Sequence, residues 1–263
     1  MKVHPFFHTE TGSFTYVVSD SGLAMIIDPV LDYRDGEIGT SYIDDILTFI
    51  EKKSLKIKYI FDTHIHADHL SAAGYIKHAV GGKTVIGKRI YDVYAHWKKK
   101  YGLTQLVDFD YLVDDASRLN FGSSVIEVIE TPGHTPSCVS YKINNHIFVG
   151  DTLFSPDRGT SRTDFPGGSA ESLFSSIKKL YTLPNNTIVY LCHDYPPNGS
   201  SPISKISLGW QKKRNVMLRQ DTSKKEYVLI RNRRDDGLKP PHLLSIAVPF
   251  NLTYQLPKHP HEG

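Results

Sequence analysis

The feature that most constrains this chain is Thr63-His64-Ile65-His66-Ala67-Asp68-His69. Three imidazoles and a carboxylate fall within six residues, directly after Tyr59-Ile60-Phe61, an apolar run that reads as a buried strand. Neutral imidazole is the commonest protein metal ligand, and carboxylate is a harder partner for the same ion. Crowding these groups at the end of a buried strand costs desolvation and charge repulsion unless a cation sits among them. A metal site is the expectation.

The rest of the chain reads as strands and helices. Residues 13–18 and 24–28 are two expected strands around a Ser-Asp-Ser-Gly turn, the second ended by Asp28-Pro29. Ser41 with Asp44 has the pattern of a capping box ahead of Ile43, Ile46, Leu47 and Ile50, which is helical spacing. After a strand at 58–62 and the histidine loop, a helix is expected over about 70–80, stopped by Gly81-Gly82. A strand at 84–86, a helix at 88–100 and strands at 111–113, 124–131, 138–143 and 146–150 follow, with Asn144-Asn145 as a hairpin turn. Residues 169–181 carry another amphipathic pattern, and 187–191 read as a buried strand leading to His193. Beyond it, 203–236 read as a basic helical extension, 245–252 as a last strand, and 1–12 and 257–263 as loose ends. Strands followed by a helix in each half predict an α/β fold of four layers, an αββα sandwich forming one domain over 1–263.

Composition narrows the function. At 263 residues, 40% hydrophobic and 22% charged, the chain has the make-up of an ordinary globular protein. A net charge of +3 is too small to argue for nucleic acid or membrane as a partner, and basic runs such as Lys98-Lys99-Lys100 read as solvated helix faces. Cys138 and Cys192 form no CxxC pattern and read as buried, inert thiols. With no signal-like apolar segment at the start and no run of about 20 apolar residues, the expected compartment is the cytoplasm.

Four further pieces match the histidine loop. Thr131-Pro132-Gly133-His134-Thr135-Pro136, Gly150-Asp151-Thr152 and Leu191-Cys192-His193-Asp194-Tyr195 each follow a strand, and Gly159–Phe165 is a loop carrying Arg162. His134, Asp151 and His193 thereby join the first cluster as metal-type residues at strand ends. This order resembles the metallo-β-lactamase superfamily over residues 13 to about 197. The runs Ile27-Asp28-Pro29-Val30-Leu31, THIHADH, TPGHTPSCV, VGDTLF, SRTDF and CHDY look like its persulfide dioxygenase (sulfur dioxygenase) family, in particular the bacterial branch often labelled beta-lactamase-like hydrolase.

The resemblance implies one Fe(II) per chain, held by His64, His134 and Asp151, as the centre of a persulfide dioxygenase. The HxHxDH pattern by itself predicts two zinc ions and a hydrolytic water instead, so one or two zinc ions remain the alternative cofactor. Under the resemblance His66, Asp68, His69 and His193 become groups that orient the ligands and hydrogen-bond water. The implied reaction is R-S-SH + O₂ + H₂O giving R-SH and sulfite, with a small-molecule thiol persulfide, glutathione persulfide by expectation, and O₂ as partners, and the chain acting as a homodimer. Arg162 either meets a substrate carboxylate or pairs with Asp164, and Asp194 and Tyr195 either reach into the iron pocket or pack beside it. His4, His8, His259 and His261 are expected to be solvated, and His78, His96 and His146 lie outside the site.

The chain departs from the family in three places. Residues 88–113 form a longer segment than in the mitochondrial-type members, Ser207–Gln211 lacks their glutamate pair, and no rhodanese-like domain is expected to follow, unlike in some relatives. The main rival is glyoxalase II, a thioester hydrolase with a dinuclear site, against which stand CHDY in place of a CGHEY-like run and SRTDF in place of a different loop. A nucleic-acid-processing member would need a contiguous basic groove.

Overall fold

The computed structural model describes residues 1–196 and 200–257. Its first half runs β1 (Lys2–His8), β2 (Ser13–Asp20), β3 (Leu23–Ile27), β4 (Val30–Arg34), β5 (Glu37–Gly39), α1 (Ser41–Lys52) and β6 (Lys56–Phe61). It continues through β7 (Leu70–Ser71), α2 (Ala73–Val80), β8 (Lys83–Gly87), α3 (Ile90–Tyr101) and β9 (Tyr111–Val113). The second half holds β10 (Arg118–Phe121), β11 (Ser124–Glu130), β12 (Val139–Ile143), β13 (His146–Phe148), α4 (Ala170–Leu180) and β14 (Ile188–Tyr190). It closes with β15 (Lys205–Ser207), α5 (Leu208–Arg214), α6 (Lys224–Asp235) and α7 (Leu244–Thr253).

Two mixed six-stranded sheets result, ordered β1-β2-β3-β6-β8-β9 and β10-β11-β12-β13-β14-β15, with β5-β4-β7 as a small third sheet. The period of two along a strand explains the layering. Tyr16 and Val18, Met25 and Ile27, Tyr59 and Phe61 join Ile126, Val128, Tyr141, Phe148 and Tyr190 in a core between the sheets. The alternate residues Val17, Ala24, Ile26 and Ile60 pack instead against Ile43, Ile46, Ile50, Ala73 and Ile76 of α1 and α2. On the far side Ile147 and Val189 meet Leu173, Ile177 and Leu180 of α4 and Tyr227 of α6. Helix, sheet, sheet, helix is the expected sandwich. Strands covered on both faces must be apolar on both, which is why β3 and β6 read as nearly continuous hydrophobic runs.

Several boundaries and one element type differ from expectation. Residues 2–8 are not loose: β1 pairs with β2 along its whole length, from Lys2 opposite Ser19 to His8 opposite Ser13. Residues 245–252 are not a strand but most of α7. Its run is apolar all round because it is buried on two sides: Leu244, Val248 and Leu252 pack with α3, while Ala247 and Phe250 pack with α1 and α2. The segment 203–236 is broken into β15, α5, an irregular stretch and α6. Helix α1 starts from Thr40 rather than from a Ser41 capping box, with the Thr40 hydroxyl donating to Asp44 Oδ2 over 2.8 Å. The remaining expected elements are present within a few residues. Of the expected loose tail, 258–263 lie outside the described residues. Among the described residues no helix is long and apolar enough to cross a membrane.

Candidate metal centre

Every metal-type residue predicted from the sequence lies beyond the end of a strand, and the sandwich brings those ends together. His64, His66, Asp68 and His69 occupy the β6–β7 loop, His134 the β11–β12 loop, Asp151 a 3-10 turn after β13, and His193 the segment after β14. Two glycines make the close approach possible. A Cβ on Gly133, whose φ is +146°, would clash with the Leu173 backbone, and one on Gly150, at φ +51°, would clash with Thr63 Oγ1.

Hydrogen bonds determine which ring nitrogen of each histidine faces the centre. His134 Nδ1 lies 2.9 Å from the main-chain oxygen of Arg162, which only accepts, so Nδ1 carries the proton. The hydroxyl of Thr63 donates to Asp28 Oδ2 over 3.0 Å, so it accepts from His64 Nδ1, also at 3.0 Å. In both rings the Nε2 lone pair is left bare, and the two Nε2 atoms lie 3.9 Å (His64) and 3.7 Å (His134) from Asp151 Oδ2. Donors about 2.1 Å from one ion stand roughly 3.0–4.2 Å apart, so these three atoms fit a common cation. His64 Nε2 and Asp151 Oδ1 are buried without a hydrogen bond, a cost that a cation would remove. Burial, reinforced by the neighbouring imidazoles, holds His64 well below the usual imidazole range, which keeps it neutral.

His66 behaves differently. Its Nε2 lies 3.1 Å from Asp28 Oδ1, a carboxylate oxygen that also accepts from the Thr63 amide at 2.7 Å. Burial opposes a charge on His66, but Asp28 beside it, with Asp62 and Asp68 further off, lifts its pKa to about 9. Burial also pushes Asp62 up to about 7, while Asp68, despite its own burial, is drawn down to about 2 by His193, His69 and His66. His193 Nε2 stands 3.3 Å from Asp68 Oδ2 and 3.4 Å from Asp151 Oδ1. His69 is buried with neither ring nitrogen bonded. Asp68, His69 and His193 thus form a second donor-rich lobe against the first.

The residues expected to meet substrate fall in different surroundings. Arg162 grips Asp164 through two 2.6 Å bonds, donates to Lys239 O at 2.9 Å and lies over the Phe165 ring. Its carbonyl, rather than its guanidinium, touches a metal-type residue. The Asp194 carboxylate accepts from Ile203 N at 2.7 Å, which packs the chain after His193. Tyr195 stacks on the His193 ring and lines a cavity of about 480 Å³ with Asp68, His69, His8, Tyr33 and His242. A more open hollow of about 910 Å³ between α4 and α6 holds none of the metal-type residues. His8, expected to be solvated, is buried between Thr11 and Asp32. His259 and His261 lie outside the described residues, and both cysteines are buried as expected.

Two residues of the site were not picked out from the sequence. Asp28 ends β3 as Asp151 follows β13, so its strand-end position was a usable signal. Asn251 of α7 had none: its side chain donates to the carbonyls of His66 and His69, 2.9 Å each, and accepts from Ser71 N at 2.7 Å.

A family profile described as the metallo-beta-lactamase superfamily matches residues 8–193, the stretch that contains every one of these ligand candidates. The chain belongs to that superfamily. Within it, the chain is 41% identical over 266 residues to the "Beta-lactamase hydrolase-like protein" of Xylella fastidiosa, covering 98% of this chain and 62% of that protein. It therefore spans about three-fifths of that relative's length. "Glyoxylase B2" of Dictyostelium discoideum is 39% identical, over 96% of this chain and 89% of that one. "Persulfide dioxygenase ETHE1, mitochondrial" of Bos taurus is 30% identical, over 94% and 85%. The crystal structure of ETHE1 from Myxococcus xanthus superposes with a TM-score of 0.78 at 29% identity, covering 95% of this chain and 98% of that one. The superfamily and the donor clusters together mark these strand-end residues as a candidate metal site.

Proposed function

We propose that this chain is an iron-dependent persulfide dioxygenase that oxidises a low-molecular-weight persulfide, glutathione persulfide first among them, to sulfite with O₂. The observation that carries the reading is the convergence of His64 Nε2, His134 Nε2 and Asp151 Oδ2, two imidazoles and one carboxylate within reach of one cation. Two neutral imidazoles and one carboxylate are the donor set of non-haem Fe(II) oxygenases. The similarity to ETHE1 persulfide dioxygenases and the SRTDF and CHDY runs support the same reading.

Ferrous iron held by His64, His134 and Asp151 would supply the one-electron chemistry through which O₂ reacts with a persulfide sulfur. The chain's own contribution is orientation and proton placement. Thr63 and the Arg162 carbonyl hold the two ligand rings with Nδ1 protonated. His193 stands between the carboxylates of Asp68 and Asp151, and Tyr195 and His69 line the neighbouring cavity. The balance is R-S-SH + O₂ + H₂O giving R-SH, sulfite and two protons.

A thioester hydrolase of the glyoxalase II type is the second reading, favoured by the Dictyostelium relative and by the donor-rich Asp68, His69 and His193 lobe. Elemental analysis of protein purified without oxygen, followed by an oxygen-electrode trace with glutathione persulfide, separates the two. One iron per chain with O₂ consumption and sulfite release is the expected result. Two zinc ions per chain with cleavage of S-lactoylglutathione and no O₂ uptake would replace it with the hydrolase.

A further inference from the structure

Helix α6 looks, from its sequence, like a solvated basic helix, yet it buries Tyr227, Arg231 and Asp235, one face at intervals of four residues. Arg231 and Asp235 are 4% and 8% exposed, and Arg231 Nη2 donates to Asp235 Oδ1 at 2.7 Å. Ion pairs this deeply buried are expensive to desolvate and are weak contributors to stability against an apolar pair of the same size. Their remaining hydrogen bonds show what they hold. Arg231 Nη1 donates to Thr160 O at 2.8 Å, and Asp235 Oδ2 accepts from both the amide and the hydroxyl of Thr163, 2.9 Å each. Tyr227, one turn earlier, meets the Thr160 hydroxyl at 2.8 Å.

The two anchored residues, Thr160 and Thr163, flank Ser161 and Arg162. Between them the Arg162 carbonyl receives the Nδ1 proton of His134. On its outer side the Arg162 side chain is tied to Asp164 and Lys239. The peptide that selects the His134 tautomer is therefore clamped by α6 on one side and by its own side chain on the other. Ring orientation and tautomer of a metal-ligating histidine depend on such a partner.

We propose that Asp235, supported by Arg231, is a positioning residue for His134: the buried pair holds the 160–163 segment so that the Arg162 carbonyl keeps His134 protonated at Nδ1 with Nε2 bare. The inference takes its use of His134 from the proposed iron centre, but the tautomer exists in metal-free protein and is read there. It therefore stands or falls independently of the persulfide chemistry.

The test is two-bond ¹H–¹⁵N NMR of ¹⁵N-histidine-labelled, metal-free full chain, with Co(II) affinity measured on the same samples. Wild-type protein should show His134 in the Nδ1–H form. Asp235→Ala should give a mixture of tautomers at His134, and Co(II) binding weakened about 10–100-fold. Thr163→Val, which removes one of the two bonds to Asp235, should move both readouts the same way by a smaller amount, and it decides alone if Asp235→Ala does not fold. Ile46→Ala, in the core under α1, should lower the Tm and leave tautomer and affinity as in wild type. An unchanged His134 tautomer and Co(II) affinity in the folded variants would overturn the proposal. So would equal changes in Ile46→Ala, which would make the effect one of general stability.

Discussion

His66 Nε2 lies 3.1 Å from Asp28 Oδ1, whereas His64, two residues earlier, meets the Thr63 hydroxyl through Nδ1 at 3.0 Å. One loop thus presents two histidines through opposite ring nitrogens, and Asp28 imposes both choices: it takes the His66 proton directly and orients the Thr63 hydroxyl for His64. Asp28 itself sits at φ +48°, a strained backbone for an aspartate that the hydrogen bonds to Thr63 hold in place. That one carboxylate leaves Nε2 of His64 and Nδ1 of His66 as the bare nitrogens.

Replacing Asp151 by Asn should keep the fold, because the side chain is outside the hydrophobic clusters, and should abolish both iron loading and O₂ uptake. The loss of affinity should exceed the roughly 10–100-fold typical of groups outside the ligand set. Metal content after anaerobic purification and an oxygen-electrode trace check it. Full loading with retained activity would remove Asp151 from the ligand set.

The metal-free protein should lose stability as pH rises from neutrality towards 9. His66 titrates near 9 in the folded chain and near the ordinary imidazole value of about 6.5 when unfolded. Across that window the folded state holds a proton the unfolded chain has released, so the stabilisation is complete below it and is lost through it. Urea melts of chelator-treated protein between pH 6 and 9.5 measure the slope, and Asp28→Asn should flatten it. An identical slope in the variant would mean that another group is responsible.

Arg162→Ala should lower stability by about 1 kcal/mol, the upper end for a partly exposed bidentate pair. Its guanidinium is already spent on Asp164 and Lys239 O. The KM for persulfide should therefore stay near the wild-type value. Steady-state kinetics beside a thermal melt decide the point, and a large rise in KM with unchanged Tm would put the guanidinium on the substrate.

Gly150→Ala should damage the site from behind. At φ +51° an alanine carries strain of about 1–3 kcal/mol, and its Cβ would press on Thr63 Oγ1, the atom that orients His64. A lowered Tm together with weakened metal binding is expected, by calorimetry and Co(II) titration. A lowered Tm with normal affinity would show that Thr63 tolerates the displacement.

Most of the sandwich was legible because its signals are local. The apolar runs of β3 and β6 and the helical spacing in α1 and α4 depend on neighbours within a few residues, and so does the clustering of His64, His66, Asp68 and His69. The exceptions have one cause each. An eight-residue apolar run such as 245–252 fits a buried strand or a buried helix equally well until its two covering layers are known. The first residues form β1 only because β2 offers an edge to pair with.

The sequence by itself determined the types of the candidate ligands and their places at strand ends, since both follow from residue identity and short-range pattern. Only the tertiary structure decided which nitrogen each histidine presents. That choice depends on partners far along the chain: Asp28 is 38 residues from His66, and the Arg162 carbonyl is 28 from His134. A proton goes to whichever ring nitrogen meets an acceptor, and folding alone brings the acceptor there.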